Sequence, residues 1–298
     1  LRLLVFTFLC SVLSWGQVTI ASDGLNNATT LFTLTNGAYY TGNSASGDRP
    51  ATSPFASEGT HSRGINNGSA TLLSNDINTS AYTSITMSFK LASFSLGSST
   101  NGADGADIVT IEVSPNGGTN WYSTERILGN SNAYWAYSAT GIATTAYDGN
   151  ATPVDFTPAA GGSRTTDGYS NIEITNLPAS TNLKFRITLL NNATAEQWVV
   201  DDFKVQGILA TPSPEINLQG NSVSIVSGDT TPDVADHTDF GSISTASGTV
   251  VRTFTIQNTG TANLSLTGAN PYVTISGGNA ADFTVTAIPS NNILAGNS

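Results

Sequence analysis

Strict alternation of apolar and polar side chains limits the possible folds of this chain more than any other feature. In "SITMSFKLASF" the apolar residues at every second position are Ile85, Met87, Phe89 and Leu91. Successive side chains of a strand point to opposite faces, so this pattern predicts a strand with one buried face. An amphipathic helix would instead place its apolar residues three and four positions apart.

The same alternation returns in two further segments, "DIVTIEVS" and "NLKFRITLL". Gly, Ser, Thr and Asn are frequent between such segments, and no amphipathic stretch of helical length separates them. Short strands joined by turn-forming residues are typical of antiparallel sheets. We therefore predict an all-β fold, with the first part of the chain packed as a jelly-roll β-sandwich.

A proline-containing segment, "ILATPSPEINLQG", divides the chain. Pro212 and Pro214 cannot donate to a central ladder, and their spacing favours a stiff, extended connection. We place the domain boundary there. The sequence thus predicts one domain over residues 17–210 and a second over residues 211–298.

The first residues, "LRLLVFTFLCSVLSWGQ", have the pattern of a secretory signal. Arg2 precedes an apolar stretch, and Ser14 and Gly16 occupy the −3 and −1 positions of a cleavage site before Gln17. The stretch is shorter than the roughly 20 residues that span a bilayer. Residues 1–16 are therefore predicted to be a signal peptide, and the protein to be secreted or extracellular without a membrane span.

Charge and cysteine content exclude several partners and cross-links. The chain has 21 acidic and 10 basic residues, a formal net charge of −11, and no basic cluster that could neutralise phosphates. Nucleic acid and anionic membranes are therefore poor partners. The one cysteine, Cys10, lies in the predicted signal, so the mature chain has none for a disulfide. Calcium ions, neutral glycans and other proteins remain as candidate partners.

Two adjacent carboxylates, Asp201 and Asp202, interrupt the apolar segment "QWVVDDFKVQG". Neighbouring side chains of a strand point to opposite faces, so the pair cannot converge on one substrate atom as a catalytic dyad would. The alternation puts Asp201 in the same register as Val199, Phe203 and Val205, which is the core register. A buried carboxylate needs hydrogen bonds or a cation, and the sequence leaves both alternatives open.

The segment "NAYWAYSATG" concentrates aromatic residues. Tyr134, Trp135 and Tyr137 are the best candidates for a sugar-binding platform, since their rings can stack on pyranose faces. The alternative is that Trp135 fills the core and the tyrosines lie at the edge of a sheet.

The segments "VTIEVSPNGGTNW" and "NLKFRITLLNNATAEQWVVDDFKVQG" resemble the MAM-like, lectin-like jelly-roll modules of secreted, multidomain surface proteins of Bacteroidota, over about residues 18–207. In such modules an acidic residue near the last strand joins acidic loop residues around a structural Ca²⁺. The matching residues here are Asp201 near the last strand and Asp23, Asp104 and Asp107 in loops. The resemblance therefore implies a calcium site formed by these four carboxylates.

The second domain resembles the "choice-of-anchor D" domain, an Ig-like sandwich related to hydin-type domains. The pattern F-x-I-x-N-x-G falls on Phe254, Ile256, Asn258 and Gly260. Family members continue with further strands after the point where this sequence ends, so the resemblance implies an incomplete Ig-like β-sandwich. The segments "VVRTFTIQNTG", "ANLSLTG", "YVTISG" and "ADFTVTAI" are its predicted strands, with their apolar residues lining one interior.

Catalysis is not predicted. His61 and His237 fall in different domains, so neither a His-based zinc cluster nor a Ser-His-Asp site can form within one domain. We predict a non-catalytic extracellular or cell-surface module for binding or adhesion, with an Ig-like spacer and with glycans or cell-surface proteins as partners. The alternative is the accessory N-terminal part of a larger secreted hydrolase, whether a nuclease, protease or glycosidase.

Overall fold

The alternating segments of the sequence form strands, as predicted. The computed structural model describes residues 16–26, 31–41, 56–95, 101–160, 168–244, 246 and 248–298. The chain divides into two compact units between Ala210 and Thr211, within the proline-containing segment. The predicted signal peptide, apart from Gly16, lies outside the described residues.

The first unit is built from strands with tight or irregular connections. These strands are β1 Val18–Asp23, β2 Phe32–Thr35, β3 Ala38–Thr41, β4 His61–Ile65, β5 Gly68–Ser74, β6 Tyr82–Ser95, β7 Ile108–Ser114, β8 Tyr122–Leu128, β9 Gly141–Ala146, β10 Val154–Phe156, β11 Tyr169–Leu177, β12 Lys184–Asn191 and β13 Glu196–Leu209.

These strands form two sheets that pack face to face as a β-sandwich, which confirms the predicted fold class. The seven-stranded sheet has the order β3-β4-β13-β6-β11-β9, with β1 also paired to β13. The six-stranded sheet has the order β10-β8-β7-β12-β5-β2. Along one side β13 pairs with β6, and along the other it pairs first with β4 and then with β1.

The core lies between the two sheets and contains the residues that the alternation assigned to it. In β6 the side chains of Ile85, Met87, Phe89 and Leu91 are at most 2% exposed. The corresponding residues of β7 and β12 are equally buried. These are Val109, Ile111 and Val113 in β7, and Phe185, Ile187 and Leu189 in β12.

A bulge in β13 changes which residues face the core. The register shifts between Asp201 and Lys204, and Asp202 has a φ of 51°. Before the bulge Trp198 and Val200 belong to the core cluster, and after it Phe203 and Val205 do. Because a bulge adds one residue to a strand, the residues on either side of it change parity. The predicted common register of Asp201 with Phe203 and Val205 is therefore wrong.

Asp201 instead lies on the outer side of the seven-stranded sheet, on the same face as Val199. There a second, smaller apolar cluster contains Val199, Phe94 and Tyr137. Its members come from β6, from β13 and from the connection between β8 and β9. The connection between β8 and β9 therefore covers part of the outer face of the seven-stranded sheet, the face that points away from the other sheet.

The second unit forms two small sheets. Its elements are β14 Ile216–Gly220, β15 Val223–Ile225, β16 Phe254–Asn258, β17 Leu264–Ser265, a 3-10 turn at Ala280–Asp282, and β18 Asn292–Ile293. One sheet has the order β15-β14-β16, and the other pairs β17 with β18. On one face of the three-stranded sheet all side chains except that of Asn258 are apolar; they are Ile216, Leu218, Val223, Ile225, Phe254 and Ile256.

The predicted strands in "YVTISG" and "ADFTVTAI" do not form. Val273, Ile275 and Phe283 are 43%, 37% and 47% exposed, so they do not line a closed interior as predicted. An alternating segment forms a strand only where a neighbouring strand provides backbone hydrogen-bond partners. These two segments pair with no strand among the described residues.

Asn258 of the F-x-I-x-N-x-G pattern organises the turn after β16. Its side-chain amide donates to the carbonyls of Ala262 (2.7 Å) and Ile293 (3.0 Å), and its Oδ1 accepts from the Gly260 amide (3.1 Å). Asn258 is 1% exposed, so this polar side chain is buried with its hydrogen bonds satisfied.

The described part of the chain contains no helix of the length and apolar character that crossing a membrane requires.

Candidate functional site

A polar groove crosses the uncovered part of the outer face of the seven-stranded sheet. Strand pairing aligns Lys204, Ser88 and Glu173 in one row across β13, β6 and β11. In the next row Lys90 and Asn171 are directly opposite each other, and Asn171 is opposite Ile142 of β9. The groove has a volume of about 280 Å³. It crosses four strands, which corresponds to a length of about 14 Å at the usual strand spacing.

The groove combines balanced charge with one apolar contact. Its charged side chains are the cations Lys90 and Lys204 and the anions Glu173 and Asp202. The Lys90 ammonium donates to the Asn171 side-chain carbonyl, and the ammonium of Lys204 lies 2.7 Å from Asp202 Oδ1. Ile142 is 57% exposed at one end. This groove can therefore offer hydrogen-bond donors and acceptors together with an apolar surface.

The predicted aromatic platform is buried. Tyr134, Trp135 and Tyr137 are 4%, 0% and 8% exposed, so none presents a ring face to solvent. Trp135 donates its indole N–H to the Leu91 carbonyl (3.1 Å) and packs against Trp198. Of the two alternatives raised by the sequence, the structure therefore supports core for Trp135, and both tyrosines are buried as well.

Asp201 is a buried hydrogen-bond acceptor. Its Oδ2 accepts from the amides of Ser57 (2.6 Å) and Glu58 (2.9 Å), and its Oδ1 accepts from the amide of Asp202 (2.8 Å). Burial raises the pKa of Asp201 to about 6, although these hydrogen bonds favour the charged form. Asp201 is fully buried and Asp202 pairs with Lys204, so the two carboxylates do not act together on a substrate.

Asp23 has a similar role at the end of β1. Its two oxygens accept from the amides of Leu25 (2.8 Å) and Leu31 (3.1 Å). The carboxylates of Asp23 and Asp201 therefore hold the backbone of neighbouring loops. Among the described residues, the carboxylates that lie close enough to Asp104 and Asp107 to share a metal ion do not include Asp23 or Asp201, so the four-residue site implied by the resemblance does not form.

A different set of three carboxylates comes together at one end of the sandwich. One carboxylate oxygen from each of Asp104, Asp107 and Glu196 lies within 4.8 Å of the others. Asp107 is fully buried, and its oxygens accept from the amides of Asp104 (2.8 Å) and Asn192 (2.9 Å). These bonds join the connection before β7 to the connection before β13.

Glu196, the first residue of β13, was missed by the sequence analysis. It is 7% exposed, and its Oε2 is buried without a hydrogen-bond partner among the described residues. Burial, the negative charge of Asp107, a hydrogen bond with Asp107 and the charge of Asp104 together raise the pKa of Glu196 to about 7. The available signal was an acidic residue two positions before the apolar run "WVV".

No family model matches this chain, and no curated protein matches it. Solved structures that align with this chain include TmCBM61 in complex with β-1,4-galactotriose, with 12% identity and a TM-score of 0.32 over 58% of this chain and 86% of that one. The K2 cleaved adhesin domain of Lys-gingipain is 12% identical, with a TM-score of 0.35, over 62% of this chain and 96% of that one. The C-terminal family 22 carbohydrate-binding module of Clostridium thermocellum Xyn10B is 9% identical, with a TM-score of 0.33, over 65% of this chain and 94% of that one. These identities and TM-scores are too low to indicate a function for this chain.

Proposed function

We propose that residues 16–210 form a non-catalytic extracellular module that binds neutral glycan chains in the groove on the seven-stranded sheet. The observation that carries this proposal is the paired rows of donors and acceptors next to the exposed side chain of Ile142. Sugar hydroxyls need both donors and acceptors, and the C–H faces of a sugar ring suit an apolar neighbour. Such a groove is a short, shallow version of the clefts of about 300–1,000 Å³ that hold small ligands.

Charge favours a neutral ligand. Two lysines and two carboxylates line the groove, so its formal charge sums to zero. The whole chain carries a net charge of −11, which repels polyanions at long range. An acidic polysaccharide would therefore bind more weakly than a neutral one of similar shape.

The position of the groove disfavours an extended peptide. Peptides that bind sheets usually add a strand at an exposed edge, where unpaired backbone groups are available. The groove instead runs across the faces of β13, β6 and β11, whose backbones are paired within the sheet, and it meets the edge strand β9 only at Ile142. A ligand here must be recognised through side chains, as a glycan is. The accessory part of a larger hydrolase would use the groove in the same way.

Binding to a panel of neutral polysaccharides tests the proposal. Affinity electrophoresis of the full chain should show retardation by at least one of them, and less by its acidic counterparts. Asn171→Ala removes an amide from the middle of the groove and should weaken retention at least about tenfold, because one or two hydrogen bonds are lost. Thr188→Ala, on the outer face of the other sheet, is the matched control and should bind normally.

Two results would overturn the proposal: no retention by any neutral polysaccharide, or equal retention of wild type and Asn171→Ala. Circular dichroism and thermal melting of each variant separate loss of binding from loss of fold.

A further inference from the structure

Three acidic side chains meet at one end of the sandwich, and no positive side chain of the described residues forms an ion pair with them. The ion pairs between described residues use Asp155, Asp76, Glu112 and Asp202, and none includes a member of this cluster. Like charges this close repel each other, and burial strengthens the repulsion. The cluster therefore needs a compensating positive charge.

Glu196 points to a ligand that enters the cluster. The residue is only 7% exposed, yet its Oε2 accepts no hydrogen bond from a described residue. Buried carboxylate oxygens in native proteins are normally satisfied. While all three carboxylates are ionised, the two neighbours cannot satisfy it, because an ionised carboxylate only accepts hydrogen bonds. A hydrogen bond between Glu196 and Asp107 requires a proton on Glu196, and this proton is the alternative to a bound cation.

The spacing of the oxygens fits a calcium ion. Calcium binds oxygen ligands at about 2.3–2.6 Å, so two oxygens on the same ion lie at most about 5 Å apart. The oxygens of Asp104, Asp107 and Glu196 lie within 4.8 Å of one another. Magnesium demands a smaller, near-ideal octahedron, and zinc prefers nitrogen and sulfur ligands. We propose that Asp104, Asp107 and Glu196 bind a single Ca²⁺ ion that joins the connection before β7 to the start of β13.

Asp107 can bind the ion without giving up its present hydrogen bonds. Each of its oxygens accepts one amide, from Asp104 or Asn192, and retains a further lone pair. Asp104 uses Oδ1 to accept from the Ala106 amide (2.8 Å), and its other oxygen has no hydrogen bond among the described residues. The protein thus holds two of the three ligands in place through backbone amides.

Metal binding by the full-length chain tests the site directly. After treatment with EDTA and its removal, CaCl₂ is titrated in by calorimetry, and TbCl₃ is titrated with excitation of tryptophan, since Trp198 lies two residues from Glu196. We expect saturable binding and a thermal midpoint that rises with Ca²⁺ concentration. Glu196→Gln and Asp104→Asn should each weaken binding at least about tenfold, since even outer partners of metal ligands typically contribute that much.

Two control variants locate the site. Asp148→Asn changes an exposed carboxylate in the connection after β9 and should bind Ca²⁺ like wild type. Asp201→Asn changes a carboxylate outside the cluster, so it should melt at a lower temperature but keep its calcium-dependent rise. The proposal is overturned if Ca²⁺ and Tb³⁺ do not bind at millimolar concentration, which would leave a proton as the compensating charge. It is also overturned if folded Glu196→Gln and Asp104→Asn both bind as wild type does.

Discussion

Trp135 and Trp198 meet edge to face inside the sandwich, with ring centroids 5.5 Å apart and both side chains fully buried. Each indole N–H is also satisfied, by the carbonyl of Leu91 or of Leu190. The pair links the β8–β9 connection to the central strand β13. Both residues therefore contribute packing and a hydrogen bond at the same time.

Truncation of Trp198 should destabilise the first unit strongly. Trp198→Ala loses a large buried side chain and leaves a cavity, which typically costs about 3–5 kcal/mol. Trp198→Phe keeps most of the packing and should lose less. Urea unfolding followed by far-UV circular dichroism measures both. Equal stability of Trp198→Ala and wild type would contradict the assignment of this residue to the core.

Stability should fall as the pH rises from about 4.5 to about 8, because of Glu125. This residue of β8 is fully buried, and neither carboxylate oxygen has a hydrogen bond of normal geometry, although the Thr145 hydroxyl is near. Burial, with a smaller effect from the charge of Glu173, raises its pKa from 4.5 to about 8. A raised pKa in the folded state means that stability is full below the unfolded value and is lost as the carboxyl ionises.

Glu125→Gln isolates this effect. Glutamine cannot ionise, so the variant should be more stable than wild type above pH 8, by an amount on the order of a few kcal/mol. Near pH 4 the two proteins should differ little. Unfolding measured from pH 4 to pH 9 compares them, and parallel stability curves over this range would show that Glu125 is not the titrating group.

Asp201→Asn should loosen the segment that this carboxylate holds. Asparagine has one acceptor oxygen in place of two, and its NH₂ group can face an amide donor, so about 1–3 kcal/mol of stability should be lost. Hydrogen exchange should rise at the amides of Ser57, Glu58 and Asp202. Asp202→Asn is the comparison, because it removes only a partly exposed ion pair with Lys204 and should cost less than about 1 kcal/mol.

The two units should differ in hydrogen exchange. In the first unit β6 and β13 are long, central and paired on both sides, and their amides should be protected to nearly the full stability of that unit. In the second unit Ile216 and Phe254 lie on the apolar face of the three-stranded sheet, and they are 56% and 36% exposed. Few contacts oppose local opening there, so exchange should be much faster. Equal protection of β14 and β6 would show that the second unit is more tightly closed than its exposure indicates.

Strand identity and core residues could be predicted because they depend on local alternation. In "NLKFRITLL" the alternation predicts that Phe185, Ile187 and Leu189 are buried, and all three lie inside the sandwich in β12. The bulge in β13 could not be predicted. Val199, Asp201 and Phe203 have one parity in sequence, and only the backbone at Asp202 divides them between two faces.

The acidic cluster was only partly predictable for a related reason. Asp104 and Asp107 are close in sequence, so their motif is visible. Glu196 reaches them because the amide of Asn192 donates to Asp107, a contact across 85 positions. In the second unit the alternation of "ADFTVTAI" was visible too, but a strand also requires a partner, and pairing is not a local property.

The position of β13 also determines how the first unit bears mechanical load. The chain leaves this unit through β13, and antiparallel ladders hold the strand on both sides, with β6 on one and with β4 and β1 on the other. Val18, the first residue of β1, pairs with Gly207 near the end of β13, so both ends of this unit lie at the same end of one antiparallel ladder. Hydrogen bonds of such ladders run across the strands, so a pull between these two ends separates β1 from β13 one hydrogen bond after another. We expect β1 to detach at low force and the longer β6–β13 ladder to break later, which single-molecule extension would measure.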